Sequence, residues 1–160
     1  MKLKNLAAAS VVALTALSSQ AASFNWGAHD AFEVGGNTVS GAVFDTFSFS
    51  LGTSSMLTSS VIANPGSFLG SAYTLYSSGA DHMIGGGDDS LVGAWGFNTA
   101  NTVTLGSGSY YYSVLGGATG SSTYAISSVA AAVPEPETYA LLGAGLGVVG
   151  FLASRRRRES

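Results

Sequence analysis

Asp45-Thr46-Phe47-Ser48-Phe49-Ser50-Leu51 alternates without interruption. Phe47, Phe49 and Leu51 share one face and Ser48 and Ser50 the other, the two-residue period of a half-buried strand. The same signature recurs on either side. Phe68 to Tyr76 and Thr102 to Leu105 read as further strands. Ser109-Tyr110-Tyr111-Tyr112-Ser113-Val114-Leu115 and Thr123-Tyr124-Ala125-Ile126-Ser127-Ser128-Val129 flank the glycine-bearing stretch Gly116 to Ser122, which predicts a hairpin at the end of the domain. Only Ser54 to Ile62 carries a trace of helical period. Short strands separated by glycine-bearing breaks predict an all-β domain, a jelly-roll-like β-sandwich over residues 23–132.

Charge is distributed unevenly around this domain. The chain has 160 residues, a formal charge of −3 and no cysteine. Its six basic residues are Lys2, Lys4 and Arg155 to Arg158, so residues 5–154 contain no lysine or arginine. Asp30, Glu33, Asp45, Asp81, Asp88 and Asp89 are the acids of residues 22–132. A surface without cations cannot neutralise phosphates, which excludes nucleic acid as a partner. Without cysteine, the domain must be held by its own core rather than by disulfides.

Residues 1–22 have the three parts of a secretory signal peptide. Lys2 and Lys4 are the positive region, Leu6 to Leu17 the apolar one, and Ser19-Gln20-Ala21 the small-residue cleavage site. A cut after Ala21 or Ala22 is expected, with a signal helix preceding it. The partners implied are the Sec translocon and signal peptidase.

The other end, residues 133–160, also has three parts in order. Val133-Pro134-Glu135-Pro136-Glu137-Thr138 places two prolines one residue apart, which removes two amide donors and predicts an exposed, extended segment that a processing enzyme can grip. Tyr139 to Ser154 follows without a charge. As a helix, residues 139–154 reach about 24 Å, short of a hydrocarbon core of about 30 Å. Local thinning and snorkelling allow such a span, so a single short transmembrane helix is expected. Arg155, Arg156, Arg157 and Arg158 then act as a stop-transfer signal held on the cytoplasmic side. Gly145 to Gly150 spells G-x-G-x-x-G, but too little chain follows for a dinucleotide-binding unit. Gly143 and Gly147 form a G-x-x-x-G pair, which also fits a segment that merely tolerates small residues.

Pro-Glu-Pro, an apolar helix and a terminal arginine cluster together resemble the PEP-CTERM sorting signal over residues 133–158. The resemblance implies a Gram-negative host and an exosortase, a membrane-embedded transpeptidase-like enzyme that recognises Val133, Pro134, Glu135 and Pro136. It also implies a precursor held transiently in the inner membrane, with its domain outside the cytoplasm, then delivered to the cell surface or an extracellular polysaccharide matrix. Gly41 to Phe49 resembles a subgroup with an F-x-D-x-F motif: Asp45 and Phe47 fit, while Val43 stands where the first phenylalanine would be.

Inside the domain the chemistry-bearing residues are sparse. Ile84 to Leu91 comes near a calcium nonapeptide, but such repeats bind only in tandem and one copy is present. Asp81, Asp88 and Asp89 remain candidates for a calcium loop of another kind, since hard cations take several carboxylate oxygens; a solvated polar loop is the commoner role of such residues. His29 and His82, beside Asp30 and Asp81, raise the question of a serine hydrolase, yet G-x-S-x-G is absent and sequence neighbours on a strand face opposite ways. No metal-binding histidine pattern occurs. Trp26, Trp95 and Tyr110 to Tyr112 offer flat faces for sugar rings or, by default, for the core. The sequence therefore reads as a surface protein with a structural or interaction role, no catalysis and no cofactor. The alternative is a displayed polysaccharide- or calcium-binding module.

Overall fold

The computed structural model describes residues 21–64, 67–134 and 136–156. Among the described residues seven strands form one sheet: β1 (Ser23–Ala28), β2 (Phe32–Leu51), β3 (Ser55–Ala63), β4 (Phe68–Ser77), β5 (Ser90–Gly96), β6 (Ala100–Leu105) and β7 (Gly108–Ala132). One helix, α1 (Pro136–Arg156), follows.

Two long antiparallel strands organise the sheet. β2 pairs with β7 from Phe32↔Val129 to Leu51↔Gly108, with an irregularity between Val39 and Gly41. Gly41 and Gly120 both have positive φ, at 83° and 77°. Left-handed backbone is cheapest at glycine, and a bulge in a ladder bends it. Both strands turn this corner together and so contribute to two leaves. The first leaf holds β1, the second half of β2, the first half of β7, β4 and β5. The second holds the first half of β2, the second half of β7, β3 and β6. β1 joins β2 in parallel, from Ser23↔Thr46 to Ala28↔Ser50.

The leaves face one another across an aromatic core, as in a β-sandwich. Phe47, Tyr73, Tyr112, Tyr124, Val61, Val114 and Ile126 are essentially inaccessible. Phe47 stacks on Phe24 with ring centroids 4.7 Å apart and meets Tyr124 edge-on from the opposite leaf. The tyrosine hydroxyls inside this core are bonded, as most buried hydroxyls are. The Tyr73 hydroxyl donates to the Ser59 carbonyl at 2.9 Å, and the Tyr112 hydroxyl lies 3.0 Å from Ser128 Oγ.

Several expectations are corrected. The predicted hairpin at Gly116 to Ser122 is absent, because β7 continues through it and bends at Gly120 without reversing. Its glycines serve the corner rather than a chain reversal. Ser54 to Ile62 is no helix but β3. Ser55 and Ser59 point inward there with Leu57 and Val61, which hid the alternation. A jelly roll has eight strands in two Greek keys, whereas the order here is β1-β2-β7-β3-β6 with β4 and β5 attached to β7. The segment before the apolar run is only partly extended, since Pro136 already opens α1. Proline suits that first helical position because its missing amide would have no partner there. A transmembrane helix is not found: among the described residues no helix is long and apolar enough to cross a membrane. Gly143, Gly145, Gly147 and Gly150 dilute the apolarity of α1.

Candidate functional site

The C-terminal tail is separated from the sheet by its environment. Val133 donates its amide to the Ser54 carbonyl at 2.9 Å, the last described bond that ties the tail to the sandwich. Pro134 is exposed, and residues 137–151 of α1 are exposed throughout. Leu141, Leu146, Val149 and Phe151 are each more than 60% accessible, so the helix carries uncovered apolar surface. Glu137 lies in its first turn, where a negative charge complements the helix dipole. Arg155 is exposed and Arg156 ends the helix. Glu135, Arg157 and Arg158 lie outside the described residues, as does Ser19 of the cleavage site and with it the signal helix.

The second candidate is the acidic loop between β4 and β5. Asp81, Asp88 and Asp89 bring one carboxylate oxygen each within 4.8 Å of the others. Three of their six oxygens already accept hydrogen bonds from the chain. Asp88 Oδ2 accepts the Ala80 amide at 2.6 Å and the Asp81 amide at 3.4 Å. The Ala80 bond is the main reason that its carboxyl sits below the usual aspartate range. Asp81 Oδ1 accepts from Met83, and Asp89 Oδ2 from Gly85 and from the Tyr111 hydroxyl, the last at 2.6 Å. Asp89 Oδ1 is buried without a hydrogen-bond partner. A Cβ on Gly79 would collide with the Asp88 carboxylate, so this glycine, at φ +60°, is needed for the turn. His82 is exposed at the loop tip, also with positive φ.

The tyrosine run is divided as expected between faces, but both faces are covered. Tyr110 and Tyr112 enter the core. Tyr111 lies under the acidic loop, stacked on Tyr76 at 5.2 Å. Burial, then the Asp89 bond, pushes the Tyr111 hydroxyl up to about 12, and burial takes Tyr112 to about 12 as well. Trp26 packs on Phe47, Phe49 and Tyr112, and Trp95 on Tyr73. These side chains form core and core margin rather than an open platform for sugars.

The histidine–serine question has a specific answer in the geometry. His29 Nε2 lies 2.8 Å from Ser128 Oγ. Ser128, however, is fully buried. His29 Nδ1 donates to the backbone carbonyl of Asp30, not to a carboxylate. A nucleophile that no substrate can reach, with a base that no acid orients, lacks the arrangement of a triad.

One residue missed as a site by the strand reading is Asp45, which is 0% exposed in the core. Its Oδ1 accepts the Ala22 amide at 2.8 Å. Its Oδ2 accepts Asn37 Nδ2 at 3.0 Å and the Tyr124 hydroxyl. The signal was in the alternation: Asp45 shares the face of Val43, Phe47, Phe49 and Leu51. Burial first, then this carboxylate, holds the Tyr124 hydroxyl far above the usual tyrosine range.

Comparison with known proteins bears on the tail and the fold. Residues 132–158 match the family described as the PEP-CTERM protein-sorting motif. No curated protein sequence matches the chain. Among solved structures, the chain is similar to PliG from Aeromonas hydrophila, a periplasmic inhibitor of g-type lysozyme, at a TM-score of 0.50 and 13% identity over 71% of this chain and 100% of that one. The pre-peptidase C-terminal domain of a Bacillus anthracis collagenase is also similar, at a TM-score of 0.48 and 15% identity over 66% and 93%. At these identities the likeness to PliG concerns the fold alone.

Proposed function

We propose that this chain is an exported precursor whose tail is a removable address and whose sandwich has a structural or interaction role without catalysis. The sorting motif implies an exported, surface-sorted protein handled by an exosortase-type machinery. The finer steps are our reading. The signal peptide opens the route, the tail holds the precursor at the inner membrane, and processing near Pro134-Glu135-Pro136 releases the sandwich to the surface or a polysaccharide matrix. The observation that carries this is the junction at Val133: strand ends, prolines follow, and an exposed apolar helix begins within three residues. A cut there removes nothing that the core uses. Intact-mass measurement of the product from its host, with and without the sorting enzyme, tests the reading. Loss of Tyr139 to Arg158 only when the enzyme is present is expected; a product that keeps them in normal cells would sink it.

A non-catalytic sandwich is favoured by the burial of Ser128 behind His29. Calcium binding is the second reading, favoured by the convergence of Asp81, Asp88 and Asp89. Against it, Asp88 Oδ2 and Asp89 Oδ2 each already accept two hydrogen bonds from the chain. Thermal melts with and without millimolar calcium separate the two: an unchanged midpoint is expected, and a rise abolished by Asp81→Asn would favour the calcium loop.

A further inference from the structure

We propose that signal-peptide removal after Ala21 creates the counterion of the buried Asp45 carboxylate. The Ala22 nitrogen sits 2.8 Å from Asp45 Oδ1, inside the sandwich margin. Hydrolysis breaks the bond between the Ala21 carbonyl carbon and this nitrogen. The water oxygen stays on Ala21, which leaves as a carboxylate, and the nitrogen keeps its hydrogen and gains two protons at neutral pH. A neutral amide donor thereby becomes an α-ammonium at the same position. The inference rests on the export reading above and extends it from transport to folding.

Three observations converge on it. First, Asp45 is fully buried, and a buried carboxylate demands a paired charge or a full set of donors. Second, no lysine or arginine occurs between residues 5 and 154, so no cationic side chain of the sandwich can serve except a protonated histidine. Neither histidine does: His29 bonds Ser128 and Asp30, and His82 is exposed on the acidic loop. Third, the chain around Ala22 is already docked. The Thr46 amide donates to the Ala22 carbonyl at 2.8 Å, the Thr46 hydroxyl bonds Ser23 Oγ, and β1 then runs parallel beside β2. The nitrogen therefore does not need to move when its charge changes. A charge-assisted bond is shorter and about twice as strong as a neutral one. The precursor would thus carry a less well compensated Asp45 and a looser edge strand, and the exported chain a locked one.

The chain offers an unusually clean test. Lys2 and Lys4 are its only lysines, so after cleavage the Ala22 α-amine is the sole primary amine. The experiment uses the full chain exported with its own signal peptide, its N-terminus read by mass spectrometry, and an amine-selective acylating reagent. An ion pair that raises the amine's pKa by one unit lowers the reactive fraction about tenfold. The native amine should react at least that much more slowly than the same amine in guanidinium. Protein acylated while unfolded and then refolded should melt about 5 °C lower than its untreated twin. Asp45→Asn should remove both effects, and should that variant fail to fold, the wild-type rates decide alone. A chain that retains residues 1–21 would overturn the export reading and this inference together. A chain starting at Ala22 whose amine reacts equally fast folded and unfolded, or one starting at Ser23, would overturn the inference and leave export standing.

Discussion

The tail and the sandwich of this chain are written in opposite ways. In the tail every feature is local: two prolines, an apolar run and an arginine cluster, in linear order, with exposed side chains from residue 137 to 151. In the sandwich nearly everything is distant. β2 meets β7 with Phe32 opposite Val129, and Tyr124 bonds Asp45 across 79 residues of chain. The comparison teaches where function can be read. A segment read by an enzyme as an extended or helical peptide keeps its message in sequence order. A domain whose residues are consumed by packing shows mainly how it stays folded.

The largest effect should come from breaking the distant part. Tyr112 is fully buried and touches rings of Trp26, Phe49 and Tyr73. Tyr112→Ala should cost about 3–5 kcal/mol, the range for deleting a large buried ring, and chemical denaturation measures it. No change in the tail should approach that value.

The second test is alkaline pH. In the folded state Tyr111 and Tyr112 hold their protons to about 12, and Tyr124 is raised further. In the unfolded chain tyrosines release theirs near about 10. Above pH 10 the folded state therefore binds more protons, and stability falls as pH rises. The contribution is intact below the unfolded value and is lost as pH climbs through the folded one. Phenolate absorbance should appear together with loss of strand signal; full tyrosine ionisation in a still-folded chain would contradict the packing.

Part of the sandwich was legible and part was not, for physical reasons. The second half of β2 was read correctly because Phe47, Phe49 and Leu51 are apolar where Ser48 and Ser50 are not. β3 was obscured because Ser55 and Ser59 lie on its buried face. β7 was broken in two by its glycines, since a bend and a turn draw on the same residue. Asp45 looked like a motif member, and only pairing in space gave it Ala22, Asn37 and Tyr124. The tail was legible as a sorting signal, yet even there the helix begins at Pro136 rather than Tyr139.

A smaller effect should come from the acidic loop, which lies between the two regimes. Its side-chain bonds are mostly short-range, while Tyr111 to Asp89 and the Ser78 amide to the Ser109 carbonyl tie it to β7. Tyr111→Phe keeps the stack on Tyr76 and removes only that bond, leaving Asp89, whose Oδ1 already has no hydrogen-bond partner, with one donor fewer. A loss of about 1–2 kcal/mol is expected, with amide exchange accelerated in residues 79–89 and unchanged in β7. Exchange that speeds up evenly across the sheet would show that the loop is part of the core.

The smallest stability effect is the one that sharpens the comparison most. Pro134→Ala and Pro136→Ala together alter the chain beyond the Val133–Ser54 bond, so unfolding stability should stay within about 0.5 kcal/mol of the parent, as for changes outside the core generally. Processing should nevertheless stop. Removing both prolines restores two amides and lets helix extend back toward Val133, which would hide in helical turns the peptide at which we propose processing occurs. Intact mass would then show a stable, exported chain that keeps residues 139–158. If the same pair of changes lowers the melting midpoint by several degrees, the prolines belong to the sandwich, and the division between address and domain lies elsewhere than at Val133.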